Sequence, residues 1–139
     1  MIVLDTNVLS EMLRPSPEPH VVEWLSDQPR ASVFTTTITR GEILYGIRVL
    51  PAGKRRDGLW DAAVKIFDID MAGQVLSFDS LAADEFAEIG ATRRAAGRPI
   101  SQFDAQIAGI TRSRGAQLAT RNVSDFDACG FNVINPWSK

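Results

Sequence analysis

Residues 1–7 read MIVLDTN. Three large apolar side chains, Ile2, Val3 and Leu4, run without a polar interruption into the carboxylate of Asp5. A short apolar run of this kind predicts a strand buried on both faces, the pattern of a parallel sheet covered on both sides, ending at Asp5. Thr6 and Asn7 then open a helix and offer it capping oxygens. Ligands in open α/β sheets sit beyond the carboxyl ends of the strands, so Asp5 stands where chemistry is expected. The fold depends on whether such strands recur, and the function on whether other acids join this one.

Working outward, Val8, Leu9, Met12 and Leu13 fall at helical spacing until Pro15 and Pro17, and Val21, Val22, Trp24 and Leu25 give a second helix that Pro29 stops. Val33 to Ile38 (VFTTTI) predicts a strand, after which Thr39 opens a helix with Ile43, Leu44, Ile47 and Leu50 on its core face. A further amphipathic helix runs from Lys54 through Leu59, Trp60, Ala63 and Val64 to Phe67. Val75 to Phe78 is a third strand, and Asp79 and Ser80 cap a long helix that ends at Gly97. Ser101 caps the next helix, with Phe103, Ile107 and Ile110 as its stripe and Gly115 after its end. Gln117 to Thr120 and Phe131 to Ile134 supply a fourth and a fifth strand. Strands separated by helices, with apolar rather than alternating strand cores, predict a five-stranded parallel sheet with helices on both faces.

The chain has 139 residues, 45% of them hydrophobic, which suits a single domain over residues 1–139. Its net charge of -2 and pI of about 5.3 require any affinity for nucleic acid to come from local basic patches and cations. One cysteine, Cys129, excludes an internal disulfide and a cysteine-built zinc site. The one histidine, His20 in PSPEPH, reads as a solvated surface residue, so a catalytic triad or histidine-rich metal site is not expected. The chain carries no apolar stretch near the roughly 20 residues of a membrane span and no secretory pattern, and a cytoplasmic protein is expected.

Asp5, Glu42 and Asp125 follow the first, second and fourth strands, and Asp104 lies early in its helix. A parallel sheet brings such positions out on one edge, where acids distant in sequence can share a pocket. Helix capping competes with this reading, because Thr39-x-x-Glu42 and Ser101-x-x-Asp104 both fit a capping box. Asp125, in a polar loop, has solvation as its simplest explanation. Clustered carboxylates repel one another unless a cation neutralises them, and Mg²⁺ or Mn²⁺ takes oxygen ligands without histidine or cysteine. Such an ion would supply a means to activate water and to stabilise the leaving oxygen of a phosphodiester.

Among the basic residues, Arg40, Arg48 and Arg121 lie near the proposed acidic edge, whereas Lys54, Arg55 and Arg56 read as a solvated helix start. Trp24, Trp60, Phe67, Phe86 and Phe103 are expected in the core or a dimer interface, with Trp137 packing the C-terminal tail onto the domain. Two other functional readings compete. Asp68-Ile69-Asp70 supplies the D-x-D pair of a haloacid-dehalogenase-type phosphatase, although Ala72 stands where that motif wants Thr or Val. A catalytically silent binding module, with the acids serving only as caps, is the other.

MIVLDTN at the start, TRGEILYGI at 39–47, SQFDAQIAGI at 101–110, LATRNVSDF at 118–126 and the closing NPW at 135–137 resemble the motifs of PIN-domain ribonucleases, in particular the VapC and FitB-like toxins of bacterial toxin–antitoxin pairs. The resemblance covers nearly the whole chain. It implies a PIN-like fold, an Mg²⁺-dependent endoribonuclease (Mn²⁺ being an alternative cation), a homodimer, and inhibition by a small antitoxin of ribbon-helix-helix type that carries the contact with operator DNA. By motif, Asp5, Glu42 and Asp104 match the acids of the family pocket, with Asp5 and Asp104 as metal ligands and Glu42 helping to hold the cation directly or through water. At the fourth acidic position FitB-like chains can carry Asp where Asn122 stands here, and Asp125, three residues later, is expected to supply that charge as the fourth catalytic acid of the pocket. Thr6 and Thr120, adjacent to these motifs, are expected to donate hydrogen bonds to the carboxylates.

Overall fold

A computed structural model describes residues 1–138 of the chain. β1 (Ile2–Leu4) is the centre of a five-stranded sheet in the order β3-β2-β1-β4-β5, where β2 is Val33–Thr36, β3 Val75–Leu76, β4 Gln117–Ala119 and β5 Val133–Ile134. All four pairings are parallel. Ile2 pairs with Val33 on one side and Gln117 on the other, and the ladder extends one residue past β1, where the Asp5 N–H donates to the Ala119 carbonyl at 2.9 Å. The chain builds outward from β1 to β2 and β3, then returns to the other side of β1 for β4 and β5. Asp5 therefore sits at the topological switch point, where the connections leaving neighbouring strands diverge and open a crevice.

Ile2 and Leu4 face one apolar cluster, with Val8, Leu9, Val21, Ile43, Ile47 and Phe67; Val3 faces the other, with Ile89, Ile107, Ile110, Leu118 and Phe126. The first is covered by α1 (Thr6–Met12), α2 (Pro19–Ser26), α3 (Thr37–Arg48) and α4 (Lys54–Lys65), the second by α5 (Ser80–Ala95) and α6 (Gln102–Ser113). Two-sided burial is the reason β1 lacks the polar alternation of a half-exposed strand. Burying each of its side chains contributes about 1.5–3 kcal/mol. Gly97 and Gly115, just beyond α5 and α6, hold φ of 72° and 62°, a left-handed turn that a side chain disfavours.

The elements differ from the sequence expectation mainly at strand ends. The expected strand Val33 to Ile38 stops at Thr36, because the Thr36 side chain accepts the Thr39 N–H at 3.1 Å and caps α3, drawing Thr37 and Ile38 into the helix. The helix expected to reach Phe67 passes at Ile66 into a π-helical turn ending at Asp70. The third strand is Val75–Leu76 rather than Val75 to Phe78, the fourth ends at Ala119 and the fifth begins at Val133. His20, expected to be solvated, is tied to the C-terminal tail: its Nε2 lies 2.8 Å from the Ser138 carbonyl oxygen. A carbonyl can only accept, which assigns the proton to Nε2. No helix among the described residues is long and apolar enough to cross a membrane.

Candidate active site

The carboxyl ends of β1 and β4, helix α1, the second turn of α3 and the start of α6 enclose a cleft of about 460 Å³. Asp5, Glu42 and Asp104 line it, together with Thr6, Asn7, Arg121 and Asn122. Asp5 is 4% exposed, the most enclosed of the three acids. Its Oδ1 accepts the Thr6 N–H at 2.8 Å, so Asp5 itself, rather than Thr6 or Asn7, is the N-cap of α1. Its Oδ2 accepts the Thr120 hydroxyl at 2.7 Å and the Asn7 side-chain amide at 3.3 Å.

Thr120, fully buried just past β4, uses its whole hydrogen-bonding capacity: it donates to Asp5 and accepts from Asn7 Nδ2 and the Asn122 N–H, both at 3.1 Å. Asn7 Oδ1 in turn accepts the Arg121 N–H at 3.2 Å. This lattice joins the ends of β1 and β4 and fixes the Asp5 carboxylate in one orientation. Across the cleft, the Thr6 hydroxyl donates to Glu42 Oε1 at 2.8 Å, and its contact with Thr39 Oγ1 at 3.0 Å is then one in which Thr39 donates.

The capping alternatives separate here. Thr36, not Thr39, caps α3, and Glu42 lies in the second turn of that helix, beyond reach of the helix start, so the predicted capping box at Thr39-x-x-Glu42 does not form. Ser101 does cap α6, accepting the Asp104 N–H at 3.2 Å, while the Asp104 carboxylate faces the cleft from the first turn. Asp125 lies on a 3₁₀ turn (Val123–Phe126), exposed and outside the cleft lining. That turn is held by the buried guanidinium of Arg93, whose Nη1 donates to the carbonyls of Asp125 and Asp127 at 3.0 and 2.9 Å. At the fourth corner, Asn122 rather than Asp125 lines the cleft.

Burial pushes the Asp5 carboxyl up to about 6; the Thr120 and Thr6 hydrogen bonds oppose this, and the charges of Asp104 and Glu42 add to it. Glu42 and Asp104 are also raised, chiefly by burial, with repulsion from Asp104 contributing to the first and from Asp125 to the second. Three acids raised together, each feeling at least one of the others or a neighbour, mark a site short of positive charge. The donors are all oxygens, which suits a hard divalent cation. Among the described residues no group of three His, Cys, Asp or Glu side chains is gathered tightly enough to hold a metal ion by itself. An ion such as Mg²⁺ or Mn²⁺ would be held here by one or two carboxylates, with water and substrate oxygens completing its shell, the usual manner for Mg²⁺.

A further acid lines the cleft that the sequence reading did not single out. Glu11 is 5% exposed and held below the usual carboxylate range, first by the Glu18 N–H at 2.9 Å and then by Arg14. It anchors the proline-rich loop to α1 and is already neutralised. Asn7 and Trp137 were likewise not read as cleft residues. Of the candidate cations, Arg40 pairs with Asp68 at 2.7 Å and Arg48 stacks on Trp60 at 5.1 Å, leaving Arg121 at the cleft. Asp68 and Asp70, bound to Arg40 and Lys65 on the π-helical turn, lie away from the cleft, so the D-x-D pair of the phosphatase reading is not placed with the other acids.

A central β1 with an acid at its tip, a 3-2-1-4-5 parallel sheet and a cleft of acids from β1, α3 and α6 define a class that comparison with known proteins identifies. The family model described as the PIN domain matches residues 2–131. The chain belongs to the PIN domain family, in the branch that holds the VapC and FitB toxins. It is 43% identical to the plasmid stability protein StbB of Pseudomonas syringae pv. tomato, over 99% of both chains. It is 36% identical to the VapC ribonuclease Y4jK of Sinorhizobium fredii (99% of this chain and 98% of the relative) and 35% identical to toxin FitB of Neisseria gonorrhoeae (99% of each). Among solved structures, FitAB bound to an IR36 DNA fragment superimposes with a TM-score of 0.93 at 34% identity, covering 100% of this chain and 97% of that one. DNA-bound VapBC from Salmonella typhimurium superimposes with a TM-score of 0.81 at 28% identity, covering 97% of each chain.

Proposed function

We propose that this protein is an Mg²⁺-dependent endoribonuclease and the toxin of a toxin–antitoxin pair. The observation that carries the reading is the convergence of Asp5, Glu42 and Asp104 on one cleft at the switch point of the sheet, each held above its ordinary pKa. Relatives named as a VapC ribonuclease and as tRNA(fMet)-specific endonucleases support the reaction class. Asp5 and Asp104 would hold the ion, and Glu42 would complete its surroundings. Bound there, Mg²⁺ supplies charge that activates water and stabilises the departing oxygen of a phosphodiester. Thr120 and Asn7 orient Asp5, Thr6 orients Glu42, and Asn122 adds a neutral oxygen at the fourth corner.

Solved neighbours titled as FitAB and VapBC complexes with DNA support a small antitoxin as partner, with operator DNA reached through it. A ribbon-helix-helix antitoxin and a homodimer belong to the same reading. Tyr45 and Phe103, 71% and 56% exposed beside Ile38 and Gly41, offer an apolar face for the second copy. The test of the activity is incubation of purified protein with single-stranded RNA in Mg²⁺, in Mn²⁺ and in EDTA. Cleavage with the divalent ions that disappears in EDTA supports the reading. Intact RNA in all three, or cleavage that Asp5→Asn leaves unchanged, overturns it.

A further inference from the structure

Three carboxylates in one cleft repel a polyanion, and a cationic side chain fixed beside them opposes that repulsion. Two arginines line the cleft. Arg14 is spent on Glu11, donating through Nη1 to both carboxylate oxygens at 3.2 and 3.1 Å. Arg121 is exposed and enters no salt bridge among the described residues. Its guanidinium lies over the Trp137 ring, 5.2 Å from the ring centre, and its backbone N–H is held by the same Asn7 that binds Asp5.

The ring beneath it is itself anchored. The Trp137 backbone N–H donates to Asn135 Oδ1 at 2.9 Å, Pro136 is buried, and the Ser138 carbonyl accepts from His20. Trp137 also packs against the core cluster on that side of the sheet. The C-terminal Asn135-Pro136-Trp137 segment thus builds a fixed platform at the cleft. Stacking of a guanidinium on an indole leaves the N–H edge free for the planar, bidentate recognition of a phosphate.

We propose that Arg121 binds a backbone phosphate of single-stranded RNA beside the three carboxylates, and that Trp137 is its positioning residue. The identity of the polyanion rests on the nuclease reading above; the phosphate site itself does not require cleavage.

Binding is measured by fluorescence anisotropy with a labelled mixed-sequence single-stranded RNA 20-mer, in EDTA and over a range of salt, so that no RNA is cut. Arg121→Ala is expected to raise Kd about tenfold and to lower the slope of log K against log salt by about 0.7, the loss of one phosphate contact on a single strand. Arg121→Lys retains the salt slope. Trp137→Leu weakens binding severalfold, Trp137→Phe restores most of it, and the double variant Arg121→Ala/Trp137→Leu binds no worse than Arg121→Ala alone, since Trp137 acts through Arg121. With Mg²⁺ present the same variants lower kcat/KM, with the larger part of the change in KM. Wild-type Kd and salt slope in Arg121→Ala overturn the assignment, as do fully additive effects of the two residues or no RNA binding by the wild-type protein. Tight, Arg121-dependent binding without cleavage in Mg²⁺ leaves the phosphate site standing and removes the nuclease reading instead.

Discussion

The Thr120 hydroxyl, buried past the end of β4, donates to Asp5 Oδ2 at 2.7 Å across 115 residues of sequence, and it is the shortest of the contacts that orient this carboxylate. The bond favours the ionised acid against the burial that opposes it. Thr120→Val keeps the shape and removes the donor. In metal-free protein the titration of the Asp5 carboxyl carbon, near pH 6 in the wild type, is expected to rise by roughly one pH unit in Thr120→Val and to stay in place in Thr120→Ser. NMR of the labelled carboxyl checks this.

Asp5 also sets a conflict between stability and function. Its folded pKa of about 6 stands above the ordinary 3.8, so between these values the folded chain binds more protons than the unfolded one. Stability of the metal-free protein therefore falls as pH rises from about 4 through 6, and the raised Glu42 and Asp104 act in the same sense. Asp5→Asn removes the largest part of this penalty. Urea unfolding in EDTA is expected to show it roughly 1–3 kcal/mol more stable than wild type at pH 8 and nearly equal at pH 4, while RNA cleavage is lost.

Gly109 on α6 answers to packing rather than to a turn. A Cβ there would lie 2.6 Å from the Ala82 carbonyl oxygen and 3.0 Å from Phe86 Cβ, both on α5. Helix propensity alone favours alanine by about 1 kcal/mol. The overlap with backbone outweighs it, and Gly109→Ala is expected to cost about 1–3 kcal/mol of unfolding free energy, read by urea denaturation, while kcat per folded molecule is unchanged.

The fourth corner separates two positions close in sequence. Asn122 lines the cleft and Asp125 does not, though the Asp125 charge reaches Asp104. Asn122→Asp is expected to tighten Mn²⁺ binding severalfold by adding a charged oxygen. Asp125→Asn is expected to change it less than threefold. Calorimetry on the two variants checks the contrast.

Much of this site was legible because parallel strands carry their own signature. Ile2-Val3-Leu4 predicts two-sided burial, and the two faces of β1 indeed enter separate cores. Asp5 follows from where such a strand ends and Glu42 from the helix that leaves the second strand, whereas Asp104 sits on a helix preceded by another helix and is marked only by its place early in α6. Helix starts were harder to read, because Thr36, Thr37 and Thr39 have equal claims to a cap and only the tertiary position of α3 decides for Thr36. Thr6 and Thr120, expected beside the carboxylates from their adjacency to the motifs, do donate to Glu42 and Asp5, whereas Asn7 reads as a local helix-start residue and its bond to Thr120 depends on β1 and β4 being neighbours, which no local pattern encodes. Glu11 carries no motif that marks it as buried. It is buried only because the proline-rich loop folds back and presents the Glu18 N–H to it.

In the proposed reading Asp5 and Asp104 hold a divalent cation that Glu42 helps to surround. Calorimetric titration of Mn²⁺ into wild-type protein and into Asp5→Asn, Glu42→Gln and Asp104→Asn at pH 7.5 tests it most directly. Saturable binding by the wild type, abolished in Asp5→Asn and weakened at least tenfold in Asp104→Asn with a smaller loss in Glu42→Gln, is the predicted result. A wild-type isotherm that Asp5→Asn leaves unchanged, or the absence of saturable binding in the wild type, would contradict it.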